Sequence, residues 1–166
     1  MTTNEKKIHQ FYSILSAGDT ASLSEFYAPD VKFRDPIFGL LTGKDVFAMW
    51  TMLIEKGKGN LHIKLSDTKA DDYLGATQWT ATYTYGPNNN KVVNTIQANF
   101  HFKDGLIIKH TDDFDIWKWS KQALGFKGFL FGWTGYMQHK IHKKALESLR
   151  KYKVLQSDKN QSPTTV

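Results

Sequence analysis

The sequence contains no cysteine, which excludes disulfide bonds, thiolate metal sites and cysteine nucleophiles. It has no apolar run approaching the roughly 18 residues of a membrane-spanning helix. Its N-terminus, MTTNEKKIHQ, has no apolar segment of signal-peptide length. These absences predict a soluble, cytoplasmic protein. What is present is a chain of 166 residues, 40% of them hydrophobic, which is enough for one domain with a substantial core.

The positive charge of the chain is confined to one segment. Residues 1–116 contain 12 Lys and Arg against 14 Asp and Glu, whereas residues 117–153 contain 9 against 1. The net charge of +6 therefore comes from the C-terminal part. We predict one domain over 1–153, with a core at about 5–116, a basic and aromatic extension at 117–153, and a disordered tail at 154–166.

The hydrophobic pattern changes its period near residue 60. Before that point, residues 2–18 open with a capping box of Thr2 and Glu5 and carry an apolar stripe at helical spacing. A short helix that ends at Pro29, a strand, and a helix capped by Thr42 follow. After residue 60 the apolar residues alternate, which predicts four antiparallel strands. A sheet with helices gathered on one face is an α+β arrangement.

One aspartate lies where an apolar residue is expected. In VKFRDPIFG, Val31, Phe33 and Asp35 share one face of a strand, and Lys32 and Arg34 share the other. If the apolar face looks inward, the carboxylate points at the core, where it is costly unless it is paired or used in chemistry. Alternatively, the Asp-Pro step closes a turn and the carboxylate accepts backbone N–H groups. The segment DPIFGLLTG is predicted as a loop.

The turn KDG decides which residues of the last strand share this interior. A two-residue loop at Asp104 would place Lys109 opposite the apolar face of the preceding strand. A three-residue loop would place His110 and Asp112 there instead. We favour the three-residue loop because it keeps apolar residues opposite apolar residues. His110 and Asp112 are therefore expected inside the fold, together with Asp35.

Three segments carry a resemblance to a known family: FYSILSAGDTASLSEFYAPDVKFRDP, TGKDVFAMW and FKDGLIIKHTDDFD. In this order and spacing they resemble the nuclear transport factor 2-like superfamily, on its ketosteroid isomerase-like and SnoaL-like polyketide cyclase side. The resemblance covers residues 5–116, roughly, and implies a cone-shaped, curved antiparallel sheet of the cystatin-like type, wrapped by N-terminal helices. It also implies an apolar interior that holds small molecules, and homodimers through the outer face of the sheet. Here an extra C-terminal helix follows.

The resemblance aligns Asp35 with the general base of the isomerases. It places Phe11 and Ala98 where those enzymes have two donors to the enolate oxygen, with Tyr12 one residue from the first. Since each such donor contributes about 3 kcal/mol, isomerisation by the family's own mechanism is not expected. Asp112, in TDDFD, matches an aspartate of the family's epoxide hydrolases, but their Arg-x-Asp motif has no counterpart in TQWTATYTY.

We predict a small-molecule-binding protein in which Asp35 is a general base and His110, oriented by Asp112, is its acid or electrophilic partner. The reaction would be an isomerisation, a cyclisation or a water addition on an apolar substrate, without a metal or other cofactor. Eight further residues are predicted to contact the ligand: Tyr12, Phe33, Trp50, Trp79, Tyr83, Asn94, Phe100 and Phe114. Alternatively, the aromatic residues are core, His110 and Asp112 only fix the sheet register, and the domain binds or assembles without catalysis.

The extension contains an aromatic loop, GFKGFLFGWTG, and then a basic helix whose apolar residues recur mostly four apart. It can pack on the domain or on a second subunit, close over the mouth of the cone, or contact an anionic membrane surface. Nucleic acid is not an expected partner because no binding motif accompanies the lysines. His139 and His142 could ligate a metal, but a solvated basic face is the expected interpretation.

Overall fold

Alternating apolar residues form the strands of one sheet, and the helical stripes of the first part of the chain form the helices that cover it. The computed structural model describes residues 1–57 and 59–161. In chain order its elements are α1 (Thr3–Ala17), a 3-10 helix (Ala21–Glu25), β1 (Tyr27–Asp35), β2 (Gly39–Thr42), α2 (Lys44–Lys56), β3 (His62–Ala70), β4 (Leu74–Tyr85), β5 (Asn90–Lys103), β6 (Leu106–Asp113), α3 (Ile116–Ala123), α4 (Phe126–Phe131) and α5 (Gly135–Gln161).

The strands form one curved sheet in the order β2-β1-β6-β5-β4-β3. All neighbouring strands are antiparallel except β1 and β6, which are parallel. Helices α1 and α2 pack on one face of this sheet, and the apolar core lies between them and the strands. We call this space the interior. The predicted α+β fold is confirmed.

Helix α1 begins and ends where the sequence predicts. The side chain of Thr2 accepts a hydrogen bond from the Glu5 N–H at 3.1 Å, and the Glu5 carboxylate accepts one from the Thr2 N–H at 2.8 Å. At its other end, Gly18 adopts a left-handed conformation with φ of 76°. Ile8 and Phe11 on its inner stripe are fully buried. The capping box thus fixes where α1 begins, and burial of the apolar stripe places it against the sheet.

The chain between α1 and α2 differs from the prediction. Strand β1 already begins at Tyr27, not after Pro29, because Pro29 lies at a register shift between β1 and β6 where a missing N–H is tolerated. The predicted loop DPIFGLLTG contains β2, which turns back at Gly39 with φ of 66° and pairs with β1. The capping box predicted at Thr42 is also wrong, since the helix N-cap is Gly43.

The turn between β5 and β6 is shorter than predicted. Asp104 and Gly105 both have positive φ and form a two-residue turn, and Lys103 pairs directly with Leu106. The three-residue loop of the prediction is therefore wrong. Asp and Gly tolerate positive φ better than other residues, so this dipeptide favours the tighter turn.

A β-bulge restores the predicted pairing of these two strands. The register shifts by one residue because Ile108 of β6 has no partner between the pairs His101–Lys109 and Phe102–Ile107. Beyond the shift, Phe100 pairs with His110 and Ala98 pairs with Asp112. The side chains of His110 and Asp112 consequently lie on the covered face, as predicted, although a bulge and not the loop places them there.

Helix α5 packs its apolar stripe on the domain. Leu149 is buried in the main core, Tyr152 packs against it, and Lys153 forms an ion pair with Asp45 of α2. The helix continues to Gln161. The prediction that residues from 154 onward are disordered is therefore wrong for residues 154–161. The segment VLQSDKNQ contains no glycine or proline to end the helix. Residues 162–166 lie outside the described part of the chain.

Candidate active site

A chain of hydrogen bonds crosses the buried interior from α2 to β4. The Trp50 Nε1–H donates to the Tyr27 hydroxyl oxygen at 3.0 Å, and that hydroxyl lies 2.6 Å from His110 Nδ1. His110 Nε2 lies 2.9 Å from Asp112 Oδ1, which also accepts a longer bond of 3.4 Å from Trp79 Nε1. His110 is 0% exposed and Asp112 is 5% exposed. The predicted inward orientation of both residues is confirmed.

The chemistry of the groups sets the direction of these bonds. An indole N–H can only donate, so the Tyr27 oxygen accepts from Trp50. A carboxylate can only accept, so His110 Nε2 carries a proton and donates it to Asp112. In the neutral imidazole, Nδ1 then has no proton and accepts the hydrogen bond of the Tyr27 hydroxyl. Both ring nitrogens of His110 are therefore engaged, and the chain holds its imidazole in one tautomer.

Aromatic rings surround the imidazole on several sides. The ring centroids of Phe100, Phe33 and Phe11 lie 4.4, 5.2 and 5.7 Å from that of His110. Burial, reinforced by the charge of Asp112, raises the pKa of the Tyr27 hydroxyl well above its ordinary value. Tyr27 therefore stays protonated and keeps its role as a donor within the chain.

Tyr12, on α1, has a buried hydroxyl group without a hydrogen-bond partner among the described residues. Its ring centroid lies 5.0 Å from that of Trp79 and 6.4 Å from that of Phe100. Burial and the charge of Asp112 raise its pKa well above the ordinary value. An unpaired buried hydroxyl costs about 1–3 kcal/mol. The position therefore favours a bound molecule that brings a hydrogen-bond acceptor.

Asp35 ends β1 and is half-buried. Its Oδ1 accepts the N–H groups of Ile37 at 2.9 Å and Phe38 at 2.5 Å, so the alternative that this carboxylate closes a turn is confirmed. These bonds favour the ionised form, yet burial outweighs them and, with the nearby charge of Asp112, raises the pKa of Asp35 to about 7. The same group closes the turn and is poised to exchange a proton near neutral pH.

The structure places all eight predicted ligand-contact residues on the covered side of the sheet or on the helices facing it. Six are buried and two are partly buried: Tyr12, Phe33, Trp50, Trp79, Asn94 and Phe100, then Tyr83 and Phe114. Several pack against one another; the ring centroids of Trp50 and Trp79, for example, are 6.4 Å apart. Much of the predicted lining is therefore packed core, which was the alternative interpretation.

Two pockets adjoin the sheet: Phe100 is among the residues that line the first, and Phe33 and His110 are among those that line the second. One of about 630 Å³ adjoins the β3–β4 turn, and one of about 390 Å³ lies on the outer face of β1 and β6 beside Lys32, Arg34 and Lys109. Neither is lined by Asp35 or Asp112. A formed ligand cavity stays a prediction, and so does dimerisation through the outer face.

The C-terminal extension covers the end of the interior at which Asp35 lies. Trp119 of α3 donates from Nε1 to the Tyr83 hydroxyl at 2.8 Å, and burial raises the pKa of Tyr83 to about 12. His142 of α5 donates from Nδ1 to the Ile37 carbonyl at 2.8 Å. Helices α3 and α5 therefore pack on the domain and close this end at the same time. We call them, with α4, the cap.

His142 is thus held by the backbone of the domain, and the metal role considered for it has no support in the geometry. Among residues 1–57 and 59–161, no three His, Cys, Asp or Glu side chains are grouped as a metal site would require.

Sequence reasoning missed Tyr27 as a member of the site. The sequence pattern predicts that Tyr27 belongs to the short helix that ends at Pro29, whereas it lies in β1 with Val31 and Phe33. Counting back by twos from those residues reaches Tyr27, although the exposed Pro29 lies between them, where the register with β6 shifts. The proline concealed this signal because it normally marks the end of an element.

Residues 8–110 match the SnoaL-like domain family. A comparison with curated proteins gives no match. Solved structures do match. A protein described as a SnoaL-like polyketide cyclase, from Jannaschia sp. CCS1, is 13% identical with a TM-score of 0.65, over 74% of this chain and 92% of its own.

Two other solved structures are similar over most of their length. An LEH-like epoxide hydrolase from M. tuberculosis is 20% identical with a TM-score of 0.57, over 81% of this chain and 95% of its own. TerC, co-crystallised with polyporic acid, is 15% identical with a TM-score of 0.60, over 69% of this chain and 92% of its own. At these identities the similarity establishes the fold.

Proposed function

The chain belongs to the SnoaL-like family, and from this premise we propose that it is an acid–base enzyme acting on a small, apolar molecule bound in its interior. Asp35 is the general base, the Tyr12 hydroxyl binds an oxygen of the substrate, and the His110–Asp112 pair sets the electrostatics of both. The observation that carries the proposal is the buried His110–Asp112 pair, 2.9 Å apart, beside a carboxyl group whose pKa is raised to about 7.

A purely structural role accounts poorly for this pair. The register of β5 and β6 is already set by the turn at Asp104 and Gly105 and by the bulge at Ile108 of β6. Burying a histidine and a carboxylate to fix the same register adds a desolvation cost without a further gain. A catalytic role explains why this cost is tolerated, because the charge of Asp112 also raises the pKa of Asp35.

The proposed step is the removal of a proton from a carbon next to a carbonyl group. Ionised Asp35 accepts the proton, the C–H electron pair moves into the enolate, and the developing oxyanion accepts a hydrogen bond from the Tyr12 hydroxyl. Protonated Asp35 then returns the proton to the substrate at another atom. A pKa near 7 suits both halves of this cycle, since the acid and base forms are equally populated there.

His110 takes a different role from the one predicted. Because Tyr27 and Asp112 occupy both of its ring nitrogens, it does not face a ligand with a free N–H. It acts as a positioning residue, which holds the Asp112 carboxylate in the interior. The acid function predicted for His110 falls to Tyr12, whose hydroxyl lacks a partner within the described residues.

Access to the interior lies under the cap. Ile37, Tyr83 and Phe114 pack both on the main core and on the second apolar cluster, which is built around Trp119 and Ile141 of the cap. These three side chains are only partly buried, in contrast to the aromatic residues deeper inside. A ligand therefore enters at this junction, and the cap moves outward to admit it.

The first test uses three probes of different chemistry: polyporic acid, a small apolar epoxide and a cyclic enone. Binding is measured by calorimetry, and proton abstraction is measured by NMR as deuterium exchange next to the carbonyl of the enone. We expect at least one probe to bind and the enone to exchange faster than in buffer. Binding without exchange or turnover would instead support a non-catalytic binding domain, and no binding of any probe would contradict both.

The Tyr12→Phe variant tests the unpartnered hydroxyl. Because it removes a buried group that has no partner among the described residues, we expect the free energy of unfolding to stay equal or to rise by up to about 1 kcal/mol. In contrast, the affinity for a bound carbonyl probe is expected to fall about fivefold to tenfold. Urea unfolding and calorimetry measure the two effects separately.

Tyr27→Phe is the matched control, since Tyr27 is equally buried but has two partners. It leaves the Trp50 indole and His110 Nδ1 unpaired, so we expect a loss of about 2–3 kcal/mol in unfolding free energy. If Tyr12→Phe is as destabilising as Tyr27→Phe, the Tyr12 hydroxyl is already satisfied inside the protein and its proposed role is wrong.

A further inference from the structure

One short segment of the cap exposes an unusual number of large apolar side chains. Phe126 is 73% exposed, and five more residues of this segment are also exposed: Phe129, Leu130, Phe131, Trp133 and Tyr136. Scattered exposed apolar residues are normal on a protein surface, but a contiguous group marks an interaction site.

The packing of α4 explains why these side chains point outward. Gly128 of α4 and Gly132, its C-cap, lie against Ser120 of α3, where a Cβ atom on Gly128 would overlap the Ser120 carbonyl oxygen. A Cβ atom on Gly132 would overlap the Ser120 hydroxyl oxygen. The inner face of this helix is therefore glycine and its outer face is aromatic, which reverses the usual arrangement of an amphipathic helix. Any larger residue on the inner face would push the helix away.

Hydrogen bonds hold the segment in this orientation. Trp117 donates from Nε1 to the Phe129 carbonyl at 3.2 Å, and Trp133 donates from Nε1 to the Leu130 carbonyl at 3.1 Å. The side chain of Gln138 donates to the Gly132 carbonyl at 3.3 Å. The aromatic face is thus presented by a structured element of the cap.

The charge of the same surface has one sign. Residues 116–144 contain no Asp or Glu and six lysines: Lys118, Lys121, Lys127, Lys140, Lys143 and Lys144. Lys121 Nζ lies 4.3 Å from the centre of the Trp117 ring, and Lys140 Nζ lies 5.1 Å from that of Tyr136. Lysines interleaved with exposed aromatic rings are typical of surfaces that bind the headgroup region of an anionic membrane.

We propose that residues 117–144 form a docking surface for anionic lipid membranes. The lysines bind the headgroups, and the side chains of Phe126, Phe129 and Trp133 insert at the boundary with the acyl chains. A second copy of this chain is a poor occupant of the surface, because two faces of the same positive charge repel each other. No helix in the described part of the chain is both long and apolar enough to cross a bilayer.

The test is co-sedimentation of the full chain with vesicles of phosphatidylcholine, with and without about 30 mol % phosphatidylglycerol. We expect binding to rise at least about tenfold with the anionic lipid and to weaken steeply as salt is added. Trp133 is exposed, so brominated lipids should also quench part of the tryptophan fluorescence. Equal binding to both vesicles, or none to either, would overturn the proposal.

Two sets of variants separate the aromatic and the charge contributions. The Phe126→Ser/Phe129→Ser/Phe131→Ser variant is expected to lower the partition coefficient at least about tenfold. Its control, Tyr73→Ser, removes an aromatic ring that is 74% exposed on another part of the molecule and should leave binding unchanged.

For the charges, Lys118→Glu/Lys127→Glu/Lys143→Glu should weaken binding to the anionic vesicles about a hundredfold. The control Lys64→Glu/Lys91→Glu/Lys103→Glu makes the same change of net charge at exposed positions of β3 and β5. Equal losses in both sets would mean that net charge alone drives binding, which contradicts a defined surface. Light scattering could instead show a lipid-free dimer that the aromatic substitutions dissociate. That result would identify a second copy of the chain as the occupant and would also overturn the membrane proposal.

Discussion

Replacing His110 by alanine is expected to lower the free energy of unfolding by about 4 kcal/mol. The imidazole is fully buried and both of its nitrogens are bonded. Without it, the Tyr27 hydroxyl loses its acceptor, and the Asp112 carboxylate keeps, within residues 1–57 and 59–161, only the 3.4 Å bond from Trp79. A cavity among aromatic rings adds to the loss. Urea unfolding followed by tryptophan fluorescence measures the change.

His101→Ala is the matched control, because His101 lies in β5 on the outer face of the same sheet and is exposed. We expect it to change the unfolding free energy by less than about 0.5 kcal/mol. A double-mutant cycle with Asp112→Ala then isolates the pair, and the double variant should lose at least about 1 kcal/mol less than the sum of the single losses. Additive losses would show that the two residues contribute independently.

The sequence predicts well which face of the sheet is covered, because apolar and polar residues alternate along each strand and the apolar ones mark the buried face. His110 and Asp112 are found inside for this reason, although the turn that leads to them was predicted with the wrong length. The turn at Asp104 and Gly105 follows local backbone preference, and a bulge reconciles it with the buried face. A bulge has no local signature here, so the sequence alone could not locate it.

The hydrogen-bond chain and the cap depend on contacts that the sequence pattern does not encode. Tyr27 meets His110 only because β1 lies parallel to β6, a pairing across about eighty residues of chain. Similarly, Gly128 and Gly132 lie in a segment predicted as an aromatic loop, whereas that segment contains α4 and both glycines allow its close approach to Ser120. In both cases the sequence identifies the residue types, but only the tertiary structure shows which residues they contact.

Replacing Asp35 by asparagine is expected to stabilise the protein at alkaline pH. The pKa of this carboxyl group is raised from 3.8 to about 7 in the folded state, chiefly by burial. The folded protein therefore binds its proton more tightly than the unfolded chain, and the stability that this provides below pH 4 is lost as pH rises toward 7. The loss amounts to roughly 2–4 kcal/mol for such a shift. Asparagine stays neutral throughout, and its amide oxygen can still accept the N–H groups of Ile37 and Phe38.

Wild type and Asp35→Asn should consequently have similar unfolding free energies near pH 4 and diverge as the pH rises, with the variant more stable by roughly 2–4 kcal/mol at pH 8. Asp30→Asn, an exposed change on the same strand, should show no such divergence. Deuterium exchange of a bound enone should fall at least about a hundredfold in Asp35→Asn, with its dissociation constant within a few-fold of wild type. A variant that gains stability and loses only turnover identifies a carboxylate retained for chemistry. A variant that gains stability and keeps full turnover would leave the carboxylate as part of the turn and remove Asp35 from the proposed mechanism.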